Sequence, residues 1–410
     1  MSERDGMAYD PGEARGKAAI VGVADEVSPT GEIDVPTRAL EGRMIKAALE
    51  DAGLGLSDVD GVFTTGGPMA SLDLAEYLRI QPRYTDSTST GGSSFEIHVE
   101  HAAAAIALGM CEVALVTYAA RPRGSMRQVR SRSNSGRQSS GGGEGGGGQA
   151  TPAREWDAPY GLGMPAASYS LAASRHMAVY GTKPEQLAAI AVSTREWACL
   201  NPAARYQTPI TVEDVLSSPY VAEPLHVLDC CLVTDGAGAV VLTRADRARE
   251  LRKPVVYVLG AGTSHTHSVS ISQMPDLTLT AGAVSGPKAF QMAGFKPADV
   301  DILMAYDSFT ITVLLALEDL GFCEKGEGGR FVEGGRLGPG GSLPTNTNGG
   351  GLSNTHPGML GIFLLVEAVR QLRGECGSRQ VQGAKVGVAH GTGGALSCTS
   401  TVVLGSEEAL

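Results

Sequence analysis

The chain has 410 residues, 42% of them hydrophobic and 19% charged, and a net charge of −11 at pH 7. That length and balance exclude a disordered chain and allow two or three domains' worth of core, and the acidic surplus argues against nucleic acid as the main partner. Seven cysteines lie scattered, with no CxxC pair and no Cys/His cluster at zinc spacing, so the spacing predicts no metal site and fits a reducing cytoplasm.

The first residues carry no apolar segment of signal-peptide type, and no run of about 18 apolar residues predicts a membrane span. Ala18–Ala24 reads as a buried strand, and residues 36–53 follow as a helix with Ala39, Met44, Ala47, Ala48 and Leu49 near helical spacing. A strand is predicted around Gly61–Thr65. The Ser/Thr/Gly stretch Ser87–Ser94 leads into a helix from Phe95 to Gly109 and a strand at Glu112–Thr117. Residues 121–154 hold seven Arg, no Lys and a glycine run at 141–148, the composition of a long flexible insertion. It reads either as a plain surface loop or as an arginine flap for phosphates or an acidic surface. Helices are predicted near 166–180 and 184–199, and a strand at Ala237–Thr243 closes this half.

The pattern then starts again. Val255–Ala261 looks like a first strand and 282–293 like a first helix. Ala52-Gly53-Leu54 and Asp58-Val59-Asp60 recur as Ala293-Gly294-Phe295 and Asp299-Val300-Asp301, both 241 residues on (52 to 293, 58 to 299). In the second copy, the stretch from Asn346 to Gly361 takes the place of Ser87–Ser94. The apolar helical run Met359–Leu372, the strand Lys385–Ala389 and the tail Cys398–Leu404 complete it. The chain is therefore expected to be two copies of one βαβ-rich unit, 1–250 and 251–410, with mostly parallel sheets covered by helices.

Four loops are expected to meet where two such halves face each other: Gly91–Ser94, Ala305–Phe309, the segment around His356, and His390–Ala395 after a strand ending at Ala389. Tyr306, His356 and His390 all fall at the C-terminal ends of predicted strands or just beyond, the side on which open α/β sheets bind ligands. His356 is read as lying just before a helix N-terminus, where unpaired N–H groups favour a developing anion. The His390-Gly-Thr-Gly-Gly stretch reads as backbone N–H donors beside a carbonyl oxygen. No GxGxxG follows the first strand, which argues against NAD. The other six histidines, His98, His101, His176, His226, His265 and His267, read as satisfied surface or core residues.

Together these words resemble the thiolase superfamily, specifically the sterol-carrier-protein-x-type lipid-transfer thiolases. The resemblance is carried by Asp229–Ala239, Tyr306–Thr310, Leu317–Gly329, Asn346–Gly358 and His390–Gly394, and it covers nearly the whole chain. It implies the five-layer αβαβα thiolase fold, a tight homodimer and a coenzyme A thioester as substrate, with no further cofactor and no metal. One departure bears on chemistry. Thiolases place a nucleophilic Cys at a helix N-terminus of the first half; here that place is Ser87–Ser94, without a Cys, and the nearest, Cys111, lies beyond the helix. The thiolase His is matched by His356, and the second thiolase Cys by His390.

A Claisen-type site without its nucleophile can still hold a thioester enolate, which suits retro-aldol cleavage of a β-hydroxyacyl-CoA. In this respect the chain is similar to the thiolase-like aldolases of steroid side-chain breakdown, which work with a small OB-fold, zinc-ribbon partner subunit. Their tyrosine pair is matched by Tyr306 and His356. The expected roles follow: Tyr306 and His356 handle the hydroxyl proton, and His390 serves Cα. Gly92, Ser93, Gly393 and Gly394 hold the thioester oxygen, and Ser94, Asp307 and Asn346 line the substrate. The alternatives are an acyl-CoA C-acyltransferase and a catalytically silent acyl-CoA or lipid-binding scaffold.

Overall fold

The computed structural model describes residues 14–126, 153–162 and 165–410. The arginine- and glycine-rich part of the predicted insertion, 127–152, lies outside them.

The first half runs β1 (Ala18–Glu26), α1 (Thr37–Ala52), β2 (Gly61–Thr64), α2 (Ala70–Leu78), β3 (Tyr84–Asp86), α3 (Ser94–Ala107), β4 (Val113–Ala120), α4 (Pro165–Tyr180), α5 (Pro184–Cys199) and β5 (Gly236–Arg244). The second runs β6 (Val256–His265), α6 (Gly282–Ala293), β7 (Ile302–Ala305), α7 (Thr310–Asp319), α8 (Gly361–Leu372), β8 (Val386–Gly393) and β9 (Cys398–Gly405). Among the described residues, nine strands form one sheet in the order β3-β2-β4-β5-β1-β6-β9-β8-β7.

The two sides of the β1–β6 junction repeat in order and sense. β1 is antiparallel to β5, β5 to β4, and β4 is parallel to β2; β6 is antiparallel to β9, β9 to β8, and β8 is parallel to β7. The sheet is therefore mixed. Parallel pairing, expected for most of the sheet, holds at the two edges and gives way in the middle, because the last strand of each half returns antiparallel between the first strand and the crossover strand.

The recurring words have a physical job. Gly53 and Gly294 end α1 and α6 in the left-handed region at φ 74° and 73°, where a side chain is strained. The aspartates that follow pin the start of the neighbouring parallel strand. Asp60 accepts the Glu112 and Val113 N–H groups, both at 2.8 Å, and Asp301 accepts those of Lys385 and Val386 at 2.7 and 2.9 Å. The same helix stop and the same carboxylate buckle thus seat β4 and β8.

Side chains alternate across the sheet. Ala18 and Ile20 of β1 share a core with α3 and α8, whereas Ala19 and Val21 share one with α1 and α6. α3 and α8 pack on each other and on strands of both halves, so they form the middle layer of the five-layer αβαβα thiolase fold, with α1 and α6 outside. α8 is buried on almost every side: Ile362, Phe363, Leu364, Leu365 and Val366 have no exposed surface. Each such side chain contributes about 1.5–3 kcal/mol by burial.

α4 and α5, which belong to the first half by sequence, cross over to roof the second. Tyr169 of α4 packs on Phe309 with ring centroids 4.4 Å apart. Just after α5, Asn201 donates to the Asn348 carbonyl at 2.8 Å.

Candidate active site

Tyr306 follows the last residue of β7, and its ring lies against Gly92 at the entrance to α3. Its hydroxyl is 2.9 Å from His356 Nε2, the rings standing edge to face at 5.6 Å. Either atom serves as donor, depending on the imidazole tautomer. Burial holds His356 neutral down to about pH 4, against an ordinary value of 6.5. Burial likewise pushes the Tyr306 phenol well above its ordinary value, with Cys231, Tyr169 and Tyr118 nearby reinforcing the shift. The two groups are an uncharged, hydrogen-bonded pair able to take up or release one proton between them.

His356 is held by loop geometry, since α8 starts only at Gly361. The helix anticipated from Met359 thus begins two residues further on. The His356 N–H donates to Thr234 Oγ1 at 2.8 Å, and that hydroxyl also meets Thr355. Upstream, a π-helical turn over Gly350–Asn354 is fastened by Asp307, whose carboxyl accepts the Gly351 and Leu352 N–H groups at 2.7 and 3.1 Å. Burial raises Asp307 to about 7 in spite of those donors. Asp307 and Asn346, expected to line the substrate, give their side-chain oxygens to the backbone, while Asn346 Nδ2 has no hydrogen-bond partner. Asn346 Oδ1 accepts the Ala305 N–H at 2.9 Å, and the residue takes a left-handed φ of 54° to do so.

Gly92, Ser93, Gly393 and Gly394 come together as expected from the sequence. Gly91 abuts the Gly393–Gly394 backbone, and Gly92 is wedged between the Tyr306 ring and the Thr392 carbonyl. Ser94 Oγ closes the loop on itself, accepting the Thr90 N–H at 2.9 Å and donating to the Gly91 carbonyl at 2.6 Å. Tyr169 Oη donates to the Gly394 carbonyl at 3.2 Å, so a first-half helix fixes a second-half loop.

His390 does not join the pair. The strand thought to end at Ala389 runs on to Gly393, so the residue sits inside β8 and obeys its alternation. Ala389 faces the α3–α8 core with Tyr306, while Val388, and therefore His390, face the opposite side. There Nδ1 is 2.9 Å from Thr401 Oγ1, which reaches Ser285 of α6. Burial holds this imidazole neutral down to about 4 as well. The His390 ring thus makes a buried bond on the far face and has no hydrogen bond to Tyr306 or His356, although the His390 carbonyl accepts the Tyr306 N–H at 2.9 Å.

Two thiols that sequence reading left out approach the site. Cys398 Sγ is 3.2 Å from Ser93 Oγ, and Cys231 lies close enough to Tyr306 and Asp307 to interact with both. Burial raises each thiol, so neither is a ready thiolate. Cys111 packs against Gly61 and Phe63 at the far end of β2. Cys231 lies within Asp229–Ala239, one of the words that carry the resemblance, whereas no sequence signal marks Cys398 or Tyr169, which long-range packing brings in. Among the described residues no group of three or more His, Cys, Asp or Glu could hold a metal ion, and no helix is long and apolar enough to cross a membrane.

Residues 262–406 match the family model described as thiolase C-terminal domain-like. A 243-residue stretch is 44% identical to an acetyl-CoA acetyltransferase of Methanothermobacter thermautotrophicus, but it spans only 59% of this chain and 63% of that protein. Two matches run much further. A steroid side-chain-cleaving aldolase of Thermomonospora curvata is 35% identical over 96% of this chain and 98% of its own. A 17-hydroxy-3-oxo-4-pregnene-20-carboxyl-CoA lyase of Mycobacterium tuberculosis is 37% identical over 88% and 92%. Among solved structures, the Ltp2-ChsH2(DUF35) aldolase superposes with a TM-score of 0.83 at 32% identity, over 96% of this chain and 99% of that one. With a thiolase fold, a paired phenol and imidazole, and no cysteine where the thiolase nucleophile stands, the chain belongs to the thiolase superfamily, among the thiolase-like carbon–carbon lyases that include the steroid side-chain-cleaving aldolases.

Proposed function

We propose that this chain cleaves a β-hydroxyacyl-CoA ester by a retro-aldol reaction, releasing a ketone or aldehyde and a shortened acyl-CoA, and that the acyl group is bulky, of the steroid side-chain class. The observation that carries this is the neutral, hydrogen-bonded pair of buried Tyr306 and half-buried His356 beside a glycine loop that holds no thiolate. The pair accepts the β-hydroxyl proton as the Cα–Cβ bond breaks. The electron pair of that bond moves into the thioester to give the enolate. Backbone N–H groups of Gly92–Ser93 and Gly393–Gly394 hold the enolate oxygen, and the proton carried by the pair returns to Cα. His390 has no part in this scheme, since its ring faces the other side of the sheet.

The names of the two long relatives favour the steroid class. The solved aldolase is named with a second component, which favours a small partner subunit here, of the OB-fold, zinc-ribbon kind; a homodimer in the cytoplasm completes the reading. The test is incubation with a panel of β-hydroxyacyl-CoA and β-ketoacyl-CoA esters, with and without free CoA, alone and with a co-expressed partner subunit. Cleavage of the hydroxy esters without free CoA is the expected result. Strict dependence on free CoA would establish the acyltransferase instead, a reading favoured by the partial match to an acetyltransferase.

A further inference from the structure

Glu96, the third residue of α3, is fully buried, yet neither of its carboxyl oxygens has a hydrogen-bond partner. Its head group fits among three pieces of backbone. A Cβ on Gly361, the first residue of α8, would overlap that carboxyl and the Gly92 carbonyl; one on Gly391, next to His390, would overlap the same carboxyl and crowd Ser93. The carboxyl thus lies directly beneath the Gly92–Ser93 loop, pressed against the start of α8 and against β8.

A carboxylate without donors in such a place is costly, and burial raises Glu96 to about 8. The titratable groups facing it are few. β9 presents the Cys398 thiol, which burial keeps protonated and which feels Glu96. One turn on along α3, Glu100 is engaged by Thr263 Oγ1 at 2.5 Å. α8 and β8 present glycine backbone.

We propose that Glu96 is a positioning residue that works as the uncharged acid, locking the Gly92–Ser93 loop against α8 and β8, and that loss of its proton sets the upper pH limit of turnover. The proposal rests on the reading of that loop as the holder of the enolate oxygen. Negative charge beneath the loop opposes the build-up of enolate charge above it, and the opposition is strong where Glu96, Ser93 and Ser94 are all buried.

The test compares the full-length protein with Glu96→Gln and Glu96→Ala, reading kcat against pH on the responsive β-hydroxyacyl-CoA and thermal unfolding against pH. Wild-type kcat is expected to fall above about pH 8; Glu96→Gln stays within about threefold at pH 7 and lacks that fall, while Glu96→Ala loses about tenfold or more in kcat with KM little changed. The unfolding comparison is independent of turnover. The folded value lies above the ordinary 4.5, so the wild type loses stability as pH rises from about 4.5 to about 8 and the Gln variant does not. The Tm advantage of Glu96→Gln should therefore grow across that window and level off above it. A flat Tm difference overturns the uncharged state. A growing difference with an unchanged alkaline fall in Glu96→Gln overturns the role in turnover. If the wild type cleaves no ester of the panel, the proposed reaction fails, and the Tm comparison still decides the charge on Glu96.

Discussion

Replacing Tyr306 by Phe removes one oxygen and keeps the ring that packs on Gly92. The lost contact is the 2.9 Å hydrogen bond to His356 Nε2, made by a phenol that is only 5% exposed. The imidazole is half-buried, so losing this hydrogen bond costs about 1 kcal/mol of folding stability. The kinetic cost should be larger, because the pair is the proposed acceptor of the hydroxyl proton. Acid–base partners of this kind contribute roughly 10²–10⁴ in rate, or about 3–5 kcal/mol of barrier. We expect kcat of Tyr306→Phe to fall by about that factor, with KM within about threefold since the ring still fills its place. Because the two residues act as one unit, Tyr306→Phe/His356→Ala should be little worse than the poorer single variant. The assay is ketone release from the β-hydroxyacyl-CoA ester under steady state, with thermal unfolding run beside it to show that each variant folds. A folded Tyr306→Phe that turns over within about threefold of wild type would refute the assignment of the pair. The pH profile gives a second check. His356 must be neutral to accept a proton, and burial keeps it so down to about 4, so kcat/KM should hold level through pH 6.5 and fall only near pH 4.

Three further outcomes follow from the same geometry. Asp307→Ala frees two buried N–H groups, each bonded to a carboxyl; it should cost about 3–5 kcal/mol in urea unfolding and lower kcat by letting the turn before His356 drift, and a loss under about 1 kcal/mol would show that the turn stands without it. His390 is held neutral to about 4 while the unfolded chain takes up a proton near 6.5, so the wild type loses stability as pH falls through that interval. His390→Asn should therefore show a urea-midpoint series shallower by about 1.4 kcal/mol per pH unit between about pH 6 and 4.5, and an identical slope would mean the imidazole titrates normally in the fold. Cys231→Ser and Cys398→Ser should each keep cleavage within about threefold, since both thiols are raised by burial; a loss beyond about a hundredfold in either would bring back a covalent thiol route.

Much of this molecule is written locally. The helix stop at Gly53 and Gly294 acts within a few residues, and the buckle at Asp60 and Asp301 acts on the start of the parallel neighbour, so the same short words recur wherever the same joint is built. Period 2 and period 3.6 placed nearly every strand and most helices; α2 and α7 escaped, α7 because it is buried on almost every side and shows no polar stripe. The sequence by itself also placed Tyr306 and His356 in loops at the ends of facing elements, and gathered Gly92, Ser93, Gly393 and Gly394 in one region.

Only the tertiary structure decided which side chains share a pocket. His390 turned on a matter of parity: four more residues of strand after Ala389 put its ring on the far face of the sheet, under α6, where an irregular loop would have left it free to turn inward. Asp307 and Asn346 carry the right chemistry for a ligand, but buried N–H groups claimed their oxygens first. Tyr169 and Cys398 come to the site from distant parts of the chain, and Glu96, although only two residues beyond Ser94, is set beneath the loop by the packing of α3 on α8 and β8. Covalent neighbours set helix, strand and turn; what a buried oxygen or nitrogen finally touches is set by the packing of layers far apart in sequence.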